Sequence, residues 1–228
     1  MHARGSIFAG AGSHDVIDLL LKILVSYLLG AIVGSQLVGR LKGVDIRRMG
    51  SGNAGATNAL RTQGKSFAFA VLIIDLAKGV IAVRVIAPLL IPGLEPPMYI
   101  ATWEPVVCGL MAIVGHVYPV WHGFRGGKGV ATLVGVVLAL DPTLMLPMLL
   151  TWFLAVMLFG YVGLASMLAA ASIPAYVALT GLEPGLALTC FGVIVTALIV
   201  FTHRGNIARM RAGTEPRARK LWLFGRGR

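Results

Sequence analysis

Hydrophobic and polar positions alternate along this chain in long blocks, with polar residues gathered between extended apolar runs. A helix that crosses a bilayer needs about 17–25 predominantly apolar residues. Runs that suit this requirement lie near residues 17–39, 67–91, 105–121, 129–146, 147–163, 164–181 and 185–202. Because only helices and closed barrels span membranes, the pattern predicts an all-α integral membrane protein with about seven transmembrane helices.

The boundaries between the middle spans depend on two short turns. Asp141-Pro142 and residues 160–163 have the composition of tight turns between hairpinned helices, and five or six spans are the alternatives. The first residues are too polar for the core of a signal peptide. We therefore divide the chain into a flexible lead at residues 1–16, a single membrane domain at residues 17–215 and a basic tail at residues 216–228.

Lysine and arginine fall on one side of such a topology. The polar segments 40–66, 122–128 and 203–228 would share one face of the membrane, and they carry 16 of the 20 basic residues. The opposite connections contain no lysine or arginine and hold Glu95, Glu104, Asp141 and Glu183. Since basic loops stay in the cytoplasm, we expect the N-terminus outside, the C-terminus cytoplasmic, and the polar glycine-rich segments at the cytoplasmic face of the cell inner membrane.

Composition excludes an ordinary soluble domain. The 228 residues are 57% hydrophobic and 13% charged, with a mean hydropathy of +0.84, whereas soluble domains average about 25% charged residues. The net charge of +11 is also typical of nucleic-acid binders, but the charges lie between and after apolar segments, so we expect no nucleic-acid partner. Cys108 and Cys190 lie inside apolar stretches without metal-ligand spacing, and we expect no metal.

The first polar segment is MGSGNAGATNALRTQGKS, at residues 49–66. Its glycines let main-chain N–H groups approach a ligand, and Arg61 can bind a phosphate through two hydrogen bonds. Hydroxyl and amide side chains are interleaved with the glycines, at Ser51, Asn53, Thr57 and Asn58. The combination favours an anion-binding nest at a helix N-terminus. The alternative, a capped re-entrant turn, explains only one or two of these polar residues.

The second polar segment is GHVYPVWHGFRGGKGVAT, at residues 115–132. It is not a nucleotide P-loop, because Gly129 follows Lys128 where a P-loop has Ser or Thr. Amides at the start of the next helix, with Arg125 and Lys128, would face a phosphate at the membrane surface. Charge topology alone explains the two cations but not the three glycines, which are Gly126, Gly127 and Gly129. We interpret the nearby His116 as structural.

The third polar segment is THRGNIARMRAGTEPR, at residues 202–217. If the last helix continues beyond the membrane, one face carries His203, Asn206 and either Arg209 or Met210. Histidine is the usual side chain for handling a hydroxyl proton near neutral pH, and Glu215 would orient it or bind a hydroxyl group. The alternative is a basic tail bound to anionic membrane lipid. That interpretation suits the residues from Arg217 onward and does not require His203, Asn206 or Glu215.

Two ionisable residues lie deep inside the second predicted span, and a third, Arg84, lies nearer its outer end. Asp75 and Lys78 stand one helical turn apart within an apolar run. Ionisable groups at that depth are costly unless they are paired. We therefore expect Asp75 and Lys78 to form a structural ion pair that faces the protein interior; the alternative is a proton relay.

Taken in order, SGNAGATNALR, DLAKG, GHVYPVWHGFRGGKGVAT and HRGNIARMRAGTE resemble the bacterial acyl-phosphate:glycerol-3-phosphate acyltransferases, the PlsY family. The resemblance covers nearly all of residues 17–215, and the ordered set is specific although no single motif is. It implies a seven-span membrane acyltransferase with a cytoplasmic active site. Such an enzyme moves a fatty acyl group from long-chain acyl phosphate to the 1-hydroxyl of glycerol 3-phosphate, giving lysophosphatidic acid.

The resemblance also implies roles for individual residues. Contact with glycerol 3-phosphate, or assistance to acyl transfer, is expected of Ser51, Arg61, Lys128, His203 and Asn206. Phosphate binding and support of the loop are expected of the glycine run 126–129 and of Asn53, Thr57 and Asn58. Arg125 stands at a position that is often lysine in the family.

The expected chemistry is direct acyl transfer. Acyl phosphate is already activated, and the motifs contain no Ser/His/Asp or Cys/His constellation, so we expect no acyl-enzyme and no cofactor. The acceptor of the hydroxyl proton is left open between His203 and the leaving phosphate. The rival interpretations are a transporter of a phosphorylated small molecule and a membrane scaffold. The first lacks an internal repeat and a polar outer vestibule, and the second leaves the polar clusters without a role.

Overall fold

The computed structural model describes residues 13–93 and 98–225. Residues 1–12 of the predicted lead lie outside this range, and the first helix already begins at Ser13. The described residues form ten α-helices and no strand, which confirms the all-α prediction for them. The helices are α1 Ser13–Gly30, α2 Gly34–Lys42, α3 Ala56–Gln63, α4 Lys65–Ile81, α5 Met98–Val117, α6 Val130–Leu140, α7 Met145–Phe159, α8 Val162–Thr180, α9 Gly185–Thr202 and α10 Arg204–Arg211.

Short turns connect or extend these helices. A π-helical turn continues α4, and 3₁₀ turns occupy Ile46–Arg48, Val120–His122, Pro142–Leu144 and Leu223–Gly225. Asp141 caps the turn before α7, its Oδ1 accepting from Thr143 N at 2.8 Å. Only Gly160 and Tyr161 separate α7 from α8. Both turns predicted in the middle of the chain are therefore confirmed as helix boundaries.

Four helical segments within the described residues are long and apolar enough to cross a membrane, and they are Ile100–His122, Pro142–Phe159, Val162–Thr180 and Gly185–Thr202. The pair α1–α2 makes a fifth if it counts as one broken span. Two of the seven predicted spans do not meet this criterion. Helix α6 has 11 residues, and α4 has 17 residues with lysine and aspartate among them.

The first predicted span, residues 17–39, is not one continuous helix. Helices α1 and α2 are separated by a break with a bend of 41°. The main-chain groups at the break bond to α4: Lys78 Nζ donates to two carbonyls of the break at 2.8 and 2.9 Å, and Asp75 Oδ1 accepts from Gly34 N at 3.0 Å. Because main-chain polar groups inside a bilayer need partners, the two side chains make this break tolerable.

Glycine allows the closest helix contacts. A Cβ at Gly30 of α1 would overlap the Ala112 carbonyl of α5, and a Cβ at Gly135 of α6 would overlap the Leu76 carbonyl of α4. Membrane helices gain van der Waals contact when small residues let their backbones approach in this way. The pairs α1–α5 and α4–α6 are therefore closely packed through glycine.

The core lies between α5, α6, α8 and α9, around the fully buried Ile113, Val136 and Phe191. The outward faces expose large apolar side chains, such as Phe69 and Leu146. Exposed apolar surface of this extent suits lipid and is unfavourable in water. The fold is therefore that of an integral membrane protein.

Candidate active site

Three polar segments meet at one end of the bundle. They are the serine–asparagine loop, residues 49–55, the glycine–lysine loop, residues 123–129, and the junction of α9 with α10. A cleft of about 300 Å³ lies between them, lined by Ser51, Gly52, Asn53, Lys128, Thr202, Arg204, Gly205, Asn206 and Arg209. The structure thus brings together four predicted site residues from distant parts of the chain, namely Ser51, Asn53, Lys128 and Asn206.

Asn58 supports the serine–asparagine loop from beneath. Its side chain is 2% exposed, and its Nδ2 donates to the carbonyls of Ile46, Met49 and Asn53 at 2.9–3.0 Å. Its Oδ1 accepts from Ser51 N at 3.0 Å. Because these partners all belong to the protein, Asn58 holds the loop, and Ser51 and Asn53 are the side chains that face the cleft.

Thr57 and Arg61 lie on α3, and neither lines the cleft. Both side chains are exposed. The positive charge of Arg61 nevertheless acts on Lys128, whose pKa it lowers. Binding roles for Thr57 and Arg61 stay predictions.

The first two glycines of the glycine–lysine loop pack against the end of α5. Gly126 N donates to the Val117 carbonyl at 3.1 Å, and Gly127 N donates to the His116 carbonyl at 3.2 Å. A Cβ at either glycine would overlap His116. Their N–H groups are therefore occupied within the protein, which favours a role in holding the loop, and phosphate binding by Gly126 and Gly127 stays a prediction. Close packing is what requires glycine here.

The loop ends in a conformation that sets the position of Lys128. Gly129 is the N-cap of α6, with φ +87°, a left-handed geometry that favours glycine. Thr202 Oγ1 donates to the Lys128 carbonyl at 3.2 Å and ties the loop to α9. Arg125 is exposed and does not line the cleft, so its phosphate-binding role stays a prediction, as does that of Gly129.

A chain of hydrogen bonds crosses the cleft from Lys128 to Glu215. Lys128 Nζ donates to Asn206 Oδ1, and Asn206 Nδ2 donates to Glu215 Oε1 at 2.6 Å. The other oxygen, Oε2, accepts from Arg209 Nε at 2.6 Å. Both carboxylate oxygens accept hydrogen bonds within the protein and Glu215 does not line the cleft. These contacts hold Asn206 and Arg209, and substrate binding by Glu215 stays a prediction.

The cleft is strongly cationic. Lys128, Arg204 and Arg209 line it without a carboxylate among the lining residues. The pKa of Lys128 is lowered to about 8, chiefly by burial; the charge of Glu215 opposes this shift, and those of Arg209 and Arg61 add to it. Concentrated positive charge with forked donors is the usual environment of a bound phosphate. Within residues 13–93 and 98–225, no group of three or more His, Cys, Asp or Glu side chains is arranged to hold a metal.

His203 lies behind the cleft and does not line it. The ring is 3% exposed, and Nδ1 is 2.8 Å from the Ile199 carbonyl, to which it donates. Burial, followed by the charge of Lys128, lowers the pKa of His203 to about 4. The imidazole is therefore neutral near pH 7 and is a weak base.

Sequence reasoning missed Thr202, Arg204 and Gly205, which all line the cleft. Helix α9 does not simply continue, because it ends at Thr202 and a separate helix, α10, begins directly after His203. Residues 202, 206 and 209 recur at the i, i+4 and i+7 positions of one helix face. That spacing of polar residues could have identified the face that lines the cleft. His203 lies on a different face, which is buried in the protein.

The described part of the basic tail, residues 216–225, folds over the turn between α7 and α8. Ala218 N donates to the Gly160 carbonyl at 2.8 Å. The Arg217 guanidinium lies 4.0 Å from the centre of the Trp222 ring and 4.9 Å from that of Tyr161. Part of the tail's positive charge is thus used within the protein, and residues 226–228 lie outside the described residues.

Known proteins are similar to this chain over most of its length. The family model described as glycerol-3-phosphate acyltransferase matches residues 20–213. The glycerol-3-phosphate acyltransferase of Geotalea daltonii is 44% identical to the chain, over 85% of this chain and 94% of the relative. That of Chlorobaculum parvum is 41% identical, over 89% and 97%. That of Aquifex aeolicus is 38% identical, over 87% and 98%.

Two crystal structures are also similar. They are of PlsY (YgiH), described as an integral membrane glycerol 3-phosphate acyltransferase, in a glycerol 3-phosphate form and a lysophosphatidic acid form. Their TM-scores are 0.74 and 0.73, and each is 36% identical, covering 87% of this chain and 94% of the other. The range matched by the family model includes both loops and the α9–α10 junction, which together form the cleft. The chain belongs to the glycerol-3-phosphate acyltransferase family.

Proposed function

We propose that this protein transfers a long-chain acyl group from acyl phosphate to the 1-hydroxyl of glycerol 3-phosphate, giving lysophosphatidic acid and inorganic phosphate. The observation that supports this most directly is the cationic cleft into which the two loops and the α9–α10 junction converge. The reaction brings two phosphate groups together. Positive charge preorganised around them offsets their repulsion and stabilises the negative charge that develops during transfer.

The lining residues divide into charged and neutral groups. Lys128, Arg204 and Arg209 supply the charge that a phosphate requires. Ser51 and Asn53 supply hydroxyl and amide groups for the glycerol moiety or its phosphate. Holding the acceptor hydroxyl next to the acyl carbon supplies much of the rate acceleration, because the reaction becomes effectively unimolecular.

The chemical step is direct substitution at the acyl carbon. The glycerol 1-hydroxyl oxygen attacks that carbon, the bond from the carbon to the phosphate oxygen breaks, and phosphate leaves. The hydroxyl proton goes to the leaving phosphate, whose oxygen becomes negatively charged as its bond to the acyl carbon breaks, so the products are lysophosphatidic acid and hydrogen phosphate. His203 is the poorer acceptor, because it is buried and its pKa is about 4. The contact of His203 with the Ile199 carbonyl supports a structural role at the α9–α10 junction.

The proposal includes the arrangement in the membrane. We infer seven spans, with the N-terminus outside and the C-terminus and cleft at the cytoplasmic face of the inner membrane. The excess of lysine and arginine in the segments that surround the cleft supports this orientation. Helix α4 crosses as a protein-facing span, since Asp75 and Lys78 are paired within the protein. In the tail, exposed Arg219 and Lys220 beside exposed Phe224 support contact with anionic lipid.

The test uses purified protein in detergent with palmitoyl phosphate and glycerol 3-phosphate. Phosphate release and lysophosphatidic acid should both require the two substrates together. Arg209→Ala should lower kcat/KM by about 100-fold or more, as loss of a charge-stabilising donor does, while Arg211→Ala, an exposed cation of the same helix, should not. Phosphate release from acyl phosphate alone would contradict direct transfer. Uptake of glycerol 3-phosphate into liposomes without acylation would support a transporter instead.

A further inference from the structure

Asp75, Lys78 and His116 form a buried cluster outside the cleft. Their exposures are 0%, 3% and 2%. Lys78 Nζ lies 2.7 Å from His116 Nδ1 and 3.1 Å from Asp75 Oδ1, and His116 Nδ1 lies 3.3 Å from Asp75 Oδ1. A lysine ammonium only donates, so His116 Nδ1 accepts. The predicted ion pair thus has a third member, contributed by the last turn of α5.

The cluster joins the helices that lead into the cleft. Lys78 donates to the carbonyls of Gly30 and Ile32, and Asp75 accepts from Gly34 N at the start of α2. Helix α2 continues towards the serine–asparagine loop. A shift of Lys78 or Asp75 would therefore move the start of α2 and the end of α5 relative to each other.

His116 also contacts the glycine–lysine loop directly. Its carbonyl accepts from Gly127 N at 3.2 Å. The Nε2 end of its ring lies so close to Gly127 that a Cβ there would overlap Nε2. Gly127 immediately precedes Lys128, whose carbonyl is bonded on the other side by Thr202. The main chain at Lys128 is therefore fixed between His116 and α9.

We propose that His116, held by Lys78 and Asp75, is a positioning residue that sets the place of Lys128 in the cleft. The inference rests on the proposed function, because it assigns Lys128 a phosphate to bind. His116 does not touch substrate, since it is buried and does not line the cleft. Its effect on the reaction passes through Gly127 to Lys128.

A double-mutant cycle tests this route. His116→Ala alone should lower kcat/KM for glycerol 3-phosphate by about 10- to 100-fold, the loss that a misplaced binding group causes. In the Lys128→Ala background, His116→Ala should cost no more than about twofold, because the two changes then share one interaction. An equal loss in both backgrounds would mean that His116 acts independently of Lys128, and would overturn the proposal.

Conservative variants separate the hydrogen bond from the bulk of the ring. His116→Asn keeps an acceptor near the Nδ1 position and should retain more of the kcat/KM for glycerol 3-phosphate than His116→Ala. Equal losses in these two variants would contradict a role for the contact with Lys78. If His116→Ala does not fold, the same cycle is carried out with His116→Gln, whose amide fills the space but cannot reach the Nδ1 position.

The chain offers a matched control for general loss of stability. At the opposite end of α5, Glu104 Oε2 accepts from Lys22 Nζ at 3.0 Å in another buried cluster. Glu104 is 12 residues from His116, about 18 Å along the helix. Glu104→Gln should lower Tm as the His116 variants do, yet leave kcat/KM unchanged. A comparable loss of kcat/KM in Glu104→Gln would attribute the His116 effect to destabilisation and overturn the proposal.

A second measurement keeps this inference separate from the proposed function. Glycerol 3-phosphate should raise the Tm of the wild-type protein, since a ligand that binds only the folded state stabilises it. In the same double-mutant cycle, the losses of this ligand-induced rise in Tm caused by His116→Ala and Lys128→Ala should be non-additive. Absence of acyl transfer by the wild type would count against the proposed function alone. Additive losses of the ligand-induced rise would count against the positioning role.

Discussion

Burial holds the pKa of Lys128 at about 8, below that of an exposed lysine. In the free enzyme, the ammonium is therefore charged near pH 7 and loses its charge as the pH rises through about 8. Because kcat/KM reports ionisations of the free enzyme, kcat/KM for glycerol 3-phosphate should fall above this pH, by up to about tenfold per unit. The measurement is the pH profile of lysophosphatidic acid formation at subsaturating glycerol 3-phosphate.

Lys128→Arg provides the control for this assignment. A guanidinium keeps its charge up to a pH of about 12, so the alkaline loss of kcat/KM should disappear in the variant even if its activity is lower. The substrate phosphate is already doubly ionised at alkaline pH and does not hide the effect. If the alkaline limb were unchanged in Lys128→Arg, another group would be responsible for it.

Residue types at the cleft could be predicted more fully than residue roles. The motifs identify Ser51, Asn53, Lys128 and Asn206, and these four do line the cleft. At the glycines the sequence leaves two interpretations open, because an anion nest and close helix packing both require a residue without Cβ. Gly127 is glycine because of the His116 ring, which lies eleven positions earlier in the chain. Sequence patterns do not contain that contact.

At the scale of the elements, the contact between α4 and α6 depends on a residue without a side chain. A Cβ at Gly135 would overlap the Leu76 carbonyl, which is main chain and cannot turn away. Gly135→Ala should therefore push the helices apart and lower the free energy of unfolding by about 1–3 kcal/mol. Unfolding of the purified protein in detergent, followed by circular dichroism, measures the change.

A second glycine substitution shows whether the contact is the cause. Gly185 begins α9, and the nearest atom to a Cβ there is Glu183 Oε2, at 4.0 Å. Gly185→Ala should leave the unfolding free energy within about 0.5 kcal/mol of wild type, as surface substitutions usually do. Equal destabilisation by both alanines would mean that the α4–α6 contact is not the origin of the effect.

The break between α1 and α2 could not be read from hydropathy. The apolar run from residue 17 to residue 39 is continuous enough to predict one span. The break is tolerable because Lys78 and Asp75 of α4 form hydrogen bonds with the main-chain groups that the break leaves free. The sequence does predict that these two ionisable side chains face the interior. It gives no sign that their partners include the backbone of another helix.

For the whole molecule, the charge pattern predicts which loops share a face, and the cleft brings together members of all three polar segments. The charge pattern does not determine which residues of a helix face the cleft. Asn206 and His203 are three positions apart, and a face that includes both was expected to carry the chemistry. In the structure Asn206 lines the cleft while His203 is turned into the protein. A shift of one position along a helix changes the direction of a side chain by about 100°. A small error in the predicted helix face therefore replaces a cleft residue with a buried one.

The orientation of the whole molecule can be tested with single cysteines in a Cys108→Ala, Cys190→Ala background. Lys65→Cys and Arg219→Cys are exposed sites in the segments predicted to be cytoplasmic. Thr143→Cys is an exposed site just beyond the C-terminal end of α6, the end away from Lys128. Since basic segments are retained in the cytoplasm, a membrane-impermeant maleimide should label Thr143→Cys in intact cells. The other two should react only after the inner membrane is permeabilised. Labelling of Lys65→Cys in intact cells would put the serine–asparagine loop outside, where the cleft could not receive cytoplasmic glycerol 3-phosphate.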